Sequence, residues 1–551
     1  MILKVLRERF FAPRPAAPAA DRPAAADDTR LLDPVYAALE AAQKGKAERL
    51  LASILRDHHD LAEAHLLLGT LSRERRQYEE ASDSYTLAGF FKPDWWPVHF
   101  QLGLLELDQG RPAGAVAPLL KALALGGEEG RVYVALGAAY VQQNEVEKAA
   151  EQFRAALALQ PDLAEAHSNL GYILFRDLER FDEGTAHIEA ALRFAPDDAA
   201  ALCNWSMVLQ HRGQVDEALA LCETLLERDP GLDEARVNRA LILLSRGDFA
   251  AGWADYETRK RLPRHAWPHD LPWREWDGSD LAGKTVFVHS EQGIGDEIMF
   301  ASCLPEFIPR TGTCIVECHP RLAPIFRRSF PSAVIVRKDA WRASELEREP
   351  DWTVGIGSLP RLLRGRREDF PTHRGYLRAE PARVEYWRDR LAMLPGRMKV
   401  GLSWRGGAPS TRRSARSIPL ELWAPVLTLQ DIDFVSVQYS DCAEEIARAQ
   451  RALGVVINHW PEAIDDYDET AALVAALDLV ISVQTAIVHL AGALGQQVWA
   501  LISAVPEWRY GATGEDMPWY SRVRLVRQQA LGEWQPVMRA ISREVSKIVT
   551  L

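Results

Sequence analysis

Small residues recur through the first half of the chain at nearly constant spacing. Gly69, Gly103, Gly137, Gly171, Ser206 and Ala240 are separated by 34, 34, 34, 35 and 34 residues. A second row keeps register with them (Ala81, Ala115, Ala149, Gly184, Ala218, Gly252), and a third runs through Ala88, Ala122, Ala156 and Ala191. Pro93, Pro161, Pro196 and Pro230 close most of the units. Small side chains are needed where two helices cross closely, and proline stops a helix because it lacks the backbone donor. The pattern predicts antiparallel helix pairs stacked into a solenoid over residues 33–262, an architecture that generally holds partners. Asp33 to His59 fits a first, degenerate unit, with Ala47 one period before Ala81. One extra residue falls in the turn near Asp177–Phe181, which a turn absorbs.

Outside this region the pattern changes twice. Residues 1–32 are Ala/Pro-rich, show no hydrophobic period and are expected to be disordered. Residues 263–283 carry Pro263, Pro268 and Pro272 with Trp267, Trp273 and Trp276, an ordered linker by composition. From Lys284 short apolar runs alternate with helical segments. The predicted strands are 285–289, 313–317, 333–337, 399–403, 434–438, 455–458, 479–483 and 498–502. Alternating strands and helices predict parallel sheets with ligands at the strand C-termini. The fold class is therefore an α solenoid followed by α/β structure in two Rossmann-like domains, residues 284–395 and 396–551.

Composition narrows the function. A net charge of −12 over 551 residues argues against a nucleic-acid partner. Six cysteines in so long a chain make no disulfide framework. Cys314 and Cys318 precede His319, but a zinc site needs further ligands that the sequence does not supply, and buried reduced thiols are expected. No metal site and no cofactor are expected. No stretch has the length of a membrane span, and the basic residues in MILKVLRERFF make a poor signal peptide, so a cytoplasmic protein is expected.

Three segments carry candidate chemistry. In HSEQGIGDEIMF (His289–Phe300) a strand feeds a loop with Gly293 and Gly295, where backbone approaches a ligand closely, and Asp296 opens a helix. Asp296 is either a helix cap or a general base at a strand C-terminus. In GLSWRGGAPSTRRSARSIPLELW (Gly401–Trp423) a strand ending at Ser403 feeds a glycine-rich loop with Arg405, Arg412, Arg413 and Arg416, suited to a diphosphate or carboxylate, or simply a solvated basic loop. Gln438 closes the next predicted strand. In the third segment, Asp468–Gly495, the strand 479–483 leads to Gln484 and Thr485 at a helix start able to hold phosphate. His489 lies one turn further on the same face, as a packed core residue or a participant in chemistry.

The 34-residue units are similar to tetratricopeptide repeats. The ordered set E-Q-G-x-G-D, G-x-S-W-x-G with R-S-x-P-L, and A-A-L-D-L-V-I-S-V-x-T-x-x-x-H-L-A-G-A-L-G resembles the ADP-heptose:lipopolysaccharide heptosyltransferase-like family. More closely it resembles bacterial proteins that join tetratricopeptide repeats to such a domain, over nearly all of residues 60–545. That resemblance implies a GT-B fold and a nucleotide-sugar donor. It also implies an acceptor-deprotonating base at Asp296 and a phosphate-binding residue at Arg416. Some repeat-containing members glycosylate flagellin with a nonulosonic sugar. The third motif usually reads S-V-D-T, whereas here Gln484 replaces the acid, which bears on the donor's identity.

The resulting expectation is an inverting, metal-independent glycosyltransferase. It uses Asp296 as base and Gly293, Gly295, Ser403, Arg405, Arg416, Gln438, Gln484, Thr485 and His489 toward the donor. Counting along helix A of each repeat places Phe100, Leu104, Leu107, Val134, Val141, Tyr172, Phe175 and Met207 in an apolar groove, or between adjacent units. Such a groove suits an amphipathic helix of a protein acceptor such as flagellin. The alternatives are a non-catalytic scaffold with a degenerate transferase domain and an enzyme acting on a glycan acceptor.

Overall fold

The structure, a computed structural model, describes residues 28–262, 271–407 and 412–550. Residues 1–27, most of the Ala/Pro segment, lie outside the described residues, as do Pro263, Trp267 and Pro268. The solenoid starts slightly earlier than expected. Asp28–Leu32 forms a 3₁₀ turn, and Leu32 is buried with Val35 and Tyr36.

Helix pairs follow at 33–40/44–57, 62–74/78–91, 96–108/112–124, 130–142/146–159, 164–176/181–194, 199–211/215–228 and 233–246/249–256. Their small residues sit where packing demands them. A methyl group on Gly69 would lie 2.7 Å from the Tyr85 ring, one on Gly103 2.5 Å from Leu119, and one on Gly137 2.5 Å from Phe153. Each glycine of helix A thus receives a large side chain of helix B, while Ala81, Ala115 and Ala149 are fully buried opposite them.

The chain divides into two compact units, and the division falls inside the solenoid. One ends at Leu174 and takes in Ala186–Pro196; the other comprises Phe175–Thr185 and Asp197–Leu551. The last repeats belong to the second unit because their side chains form part of its core. Trp253 is buried, donates its indole N–H to the Arg364 carbonyl (2.9 Å), and meets Trp508, Trp519 and Phe300 edge to face.

Two parallel sheets follow. In the first, β1 (Thr285–His289), β2 (Thr313–Cys318), β3 (Val334–Arg337) and β4 (Trp352–Gly355) take the order β3-β2-β1-β4. In the second, β5 (Met398–Ser403), β6 (Ile432–Ser436), β7 (Ile457–Asn458), β8 (Leu479–Val483), β9 (Val498–Ile502) and β10 (Val523–Arg527) take the order β10-β9-β8-β5-β6-β7. Counted in chain order from β5 this is 6-5-4-1-2-3, the order of a doubly wound nucleotide-binding sheet. Both sheets reverse direction of growth beside their first strand, so each has a crevice at the strand C-termini, between β1 and β4 and between β5 and β8.

Strands β8 and β9 have the predicted bounds. β6 begins two residues earlier than expected and β7 is reduced to two residues. β4 and β10 were not anticipated: both are edge strands, one of four residues ending in glycine and the other with its apolar residues interrupted by Arg524 and Arg527. The described part of the linker is tied to β4, through Trp276 N–H to Thr353 O and Thr353 N–H to Arg274 O, both 2.8 Å.

Candidate functional site

The second and third sequence motifs meet at the crevice between β5 and β8. Arg416, in the loop after β5, donates from Nη1 to the carbonyl of Gln484 after β8 (2.7 Å). Burial works against its charge and lowers its pKa. Gln484 is buried, with Oε1 accepting from Ser503 N–H (3.2 Å) and Nε2 without a hydrogen-bond partner. Thr485 caps the helix Ala486–Ala493 by accepting from Ile487 N–H (3.3 Å).

Other expected donor contacts are occupied within the protein. Oε1 of Gln438 accepts from Ser403 Oγ (3.2 Å), Trp404 N–H (3.0 Å) and Arg405 N–H (2.9 Å), so this amide staples the base of the loop. The Arg405 guanidinium donates to Glu445 (2.7 Å), Ser440 Oγ (3.0 Å) and the Asp441 carbonyl (2.8 Å). His489 is buried between Tyr520 (Nδ1 to OH, 3.1 Å) and Tyr510 (Nε2 to OH, 3.3 Å), and burial lowers its pKa well below that of free imidazole. The packed-core alternative describes its place. A methyl on Gly295 would sit 3.3 Å from His489 and 3.4 Å from the Ala486 backbone, so this glycine serves the close approach of the two sheets' helices. Gly293 is the N-cap of the short helix Ile294–Phe300 and donates its N–H to Asp296 Oδ2 (3.3 Å).

Of the two roles set out for it, Asp296 shows the helix cap. Oδ2 accepts from the N-cap Gly293 N–H, while Oδ1 faces the other sheet's loop, 2.7 Å from Nη2 of Arg509. That pair is electrostatic rather than a formed hydrogen bond: Oδ1 is buried without a hydrogen-bond partner, as is Nε of Arg509. Beside them lies Glu507. Burial would raise its carboxyl, but the charges of Arg412, Arg509, Arg416 and Arg176 outweigh it and hold the pKa below the ordinary range. Nη1 of Arg412 is also buried and unpartnered. Four guanidinium groups thus act on Glu507, and one of them, Arg509, also pairs with Asp296, in an arginine-rich cluster where several buried polar atoms lack hydrogen-bond partners. Such an arrangement has the chemistry to accept an anion.

Arg509 and Glu507, in the loop after β9, escaped the sequence reading. E-W-R-Y belongs to none of the three motifs, and the available signal was its position at a strand C-terminus. Arg259 escaped as well. From the last repeat it fills the crevice of the first sheet, donating to Glu291 (2.6 and 2.8 Å) and Ser358 Oγ (3.1 Å), while Gly357 N–H donates to the same carboxylate (2.8 Å). Burial alone would raise the Glu291 carboxyl, yet Arg259 brings it down to about 2. The first crevice is therefore closed by the protein's own ion pair, and unpartnered polar atoms lie on the loops of the second sheet and on Asp296, which faces them.

A cavity of about 250 Å³ opens among these groups, with Gln292, Arg412 and Glu507 on one side and Phe175, Met207 and Leu241 of the repeats on the other. Of the remaining groove positions, Phe100, Leu104 and Leu107 are half-buried against the cluster of Ala115, Leu119 and Leu136. Val134 is buried, whereas Val141 and Tyr172 are half-exposed. Phe175 is buried against Phe181 (5.3 Å) and His211 (5.2 Å). Among the described residues Cys314 and Cys318 are buried free thiols, and no helix is long and apolar enough to cross a membrane.

Comparison with known proteins bears on the repeats and on the whole chain. Family models described as TPR repeat and tetratricopeptide repeat match residues 137–177 and residues 173–233 and 203–259. Solved structures with similar repeats include Pseudomonas aeruginosa PilF (19% identity, 38% of this chain and 94% of that one, TM-score 0.34). YrrB, a TPR protein with an unusual peptide-binding site, is 19% identical over 34% of this chain and 95% of that one, with a TM-score of 0.27. Protein FlbA of Caulobacter vibrioides is 32% identical over 538 residues, covering 94% of this chain and 89% of its own length. The solenoid is thus a run of tetratricopeptide repeats, modules of protein interaction, and the chain belongs to the family of protein FlbA.

Proposed function

We propose that the protein is a glycosyltransferase that moves a sugar from a nucleotide donor to a Ser or Thr hydroxyl of a protein acceptor, with flagellin as the favoured acceptor. One observation carries the reading: a buried carboxylate oxygen, Asp296 Oδ1, stands without a hydrogen-bond donor beside a cluster of arginines at the strand C-termini of two Rossmann-like sheets. A proton acceptor next to fixed positive charge is the pairing that glycosyl transfer requires. Asp296 takes the hydroxyl proton as the acceptor oxygen bonds to the anomeric carbon. The bond from that carbon to the donor's phosphate oxygen breaks on the opposite face, inverting the centre. Negative charge gathers on the departing phosphate, where Arg412, Arg416 and Arg509 offset it without reorganisation.

The repeats supply the acceptor. Helix-A side chains of the last units, Phe175, Met207 and Leu241, line the same cavity as Gln292, four residues before Asp296. A polypeptide lying on that face by its apolar side is brought to the loop that carries the base. The sugar, a nonulosonic acid on the resemblance to flagellin-modifying enzymes, is consistent with the excess of arginine.

Transfer by Asp296→Asn tests the reading. A base of this kind contributes about 100-fold or more, so the variant is expected to bind donor normally and to transfer at about 1% of the wild-type rate. Activity within about threefold of wild type removes Asp296 from the role.

A further inference from the structure

The turn between helices 164–176 and 181–194 holds the extra residue of the repeat array, and its Glu179 adopts φ +54°. Both oxygens of the Glu179 carboxylate accept from the backbone N–H of Ser414, at 2.9 and 3.0 Å. Ser414 is the first residue of the 3₁₀ turn Ser414–Arg416, which ends in one of the central loop's arginines. Two residues before Ser414 stands Arg412, whose charge falls on Glu507; two residues after it stands Arg416, whose guanidinium reaches Gln484. Toward its other end the loop is held by ordinary internal bonds, Gly406 N–H to Ser417 Oγ (2.9 Å) and Ile418 N–H to Trp404 O (2.8 Å). Glu179 therefore supplies an anchor from outside the sheet to the segment between the two arginines. Arg176, one turn earlier in the same repeat, adds its charge to the field on Glu507.

We infer that Glu179 is a positioning residue: the repeat's lengthened turn grips the Ser414 amide and so fixes Arg412 and Arg416 where they meet an anionic ligand. A carboxylate on a backbone N–H is a charge-assisted bond, stronger than a neutral one, and it has direction. Without it the 3₁₀ turn loses its external acceptor, and the two arginines must be ordered at the moment of binding. The inference rests on the reading of this loop as the site of the donor's phosphates. It adds that the fifth repeat is part of that site's construction, so donor affinity depends on a residue in the repeat array.

The test uses the full chain, inorganic pyrophosphate as probe, calorimetry, and hydrogen–deuterium exchange over residues 412–418. Glu179→Ala is expected to raise the Kd for pyrophosphate about tenfold and to speed exchange over that segment, with Glu179→Gln, which keeps one acceptor oxygen, in between. An unchanged melting temperature alongside weaker binding separates positioning from general stabilisation. Exchange over 412–418 that Glu179→Ala leaves unaltered overturns the inference, as does wild-type binding that the variant keeps within about twofold. Absence of pyrophosphate binding by the wild-type protein overturns the donor-site reading itself, while the exchange measurement still decides whether Glu179 holds the loop.

Discussion

Glu297 follows the proposed base in sequence, and its chemistry is opposite in kind. It is 2% exposed, accepts from the His319 backbone N–H at 2.8 Å, and burial pushes its carboxyl up to about 8 against an ordinary 4.5. The His319 bond and the charge of Lys338 pull the other way without prevailing. Between those two values an unfolded chain has released the proton and the folded protein retains it. The folded state then binds more protons, so stability falls as pH rises from 4.5 toward 8. At about 1.4 kcal/mol per pH unit, the cost at pH 7.5 is roughly 4 kcal/mol. Glu297→Gln removes the titration. The amide oxygen keeps the His319 bond, but its NH₂ enters a site with no provision for it, at about 1–3 kcal/mol. The variant is therefore expected to be more stable than wild type by about 1–3 kcal/mol at pH 7.5, and less stable by a similar amount at pH 4.5. Urea denaturation followed by tryptophan fluorescence at the two pH values measures both. A variant that stands in the same relation to wild type at each pH refutes the claim that this carboxyl is held protonated by burial.

Two further outcomes follow from the packing around the site. Arg259→Met leaves Glu291 buried without its partner and is expected to cost about 3–5 kcal/mol, read as a lower denaturation midpoint. Because Glu291 is depressed to about 2 from 4.5, its contribution is present above pH 4.5 and lost toward pH 2, and the variant's acid unfolding should lose that component. Replacing Phe100 and Tyr172 by aspartate should abolish acceptor capture in a pull-down while donor hydrolysis persists; unchanged capture defeats the assignment of the groove.

The last repeat emerges as a structural member of the α/β unit rather than an appendage. Arg259 and Tyr256 bind the loop after β1, the latter by accepting from Gln292 Nε2 (2.8 Å), and the Ser245 carbonyl accepts from Ala512 N–H (2.7 Å) beyond β9. One helical unit thus touches the C-terminal loops of both sheets, the edges from which the proposed base and its arginine project. Excision of the α/β part at residue 262 would strip away side chains that complete its core.

What the chain declares on its own is whatever recurs or stays local. The helix pairs are legible because the demand for a small residue at each crossing repeats every 34 residues, and Gly69, Gly103 and Gly137 each meet a large neighbour. Buried strands such as β8 and β9 are legible because their apolar runs are continuous, while the edge strands β4 and β10 are not: β4 has four residues and ends in glycine, and β10 is interrupted by Arg524 and Arg527. Asp296 is legible as a residue of interest because it follows a strand and opens a helix. Its partner is another matter. Arg509 lies more than 200 residues away, and only the closure of one sheet's loops against the other's brings the two charges within 2.7 Å. The same holds for Arg405 and Gln438, which look like ligand contacts in the sequence yet spend their hydrogen bonds inside the protein, Gln438 on the base of the loop and Arg405 on Glu445 and its neighbours. It holds equally for Glu179, whose turn is visible as a break in spacing but whose partner, Ser414, is not. Side-chain type and periodicity are properties of neighbouring residues; which donor finds which acceptor depends on chain segments that become neighbours only when the core is packed.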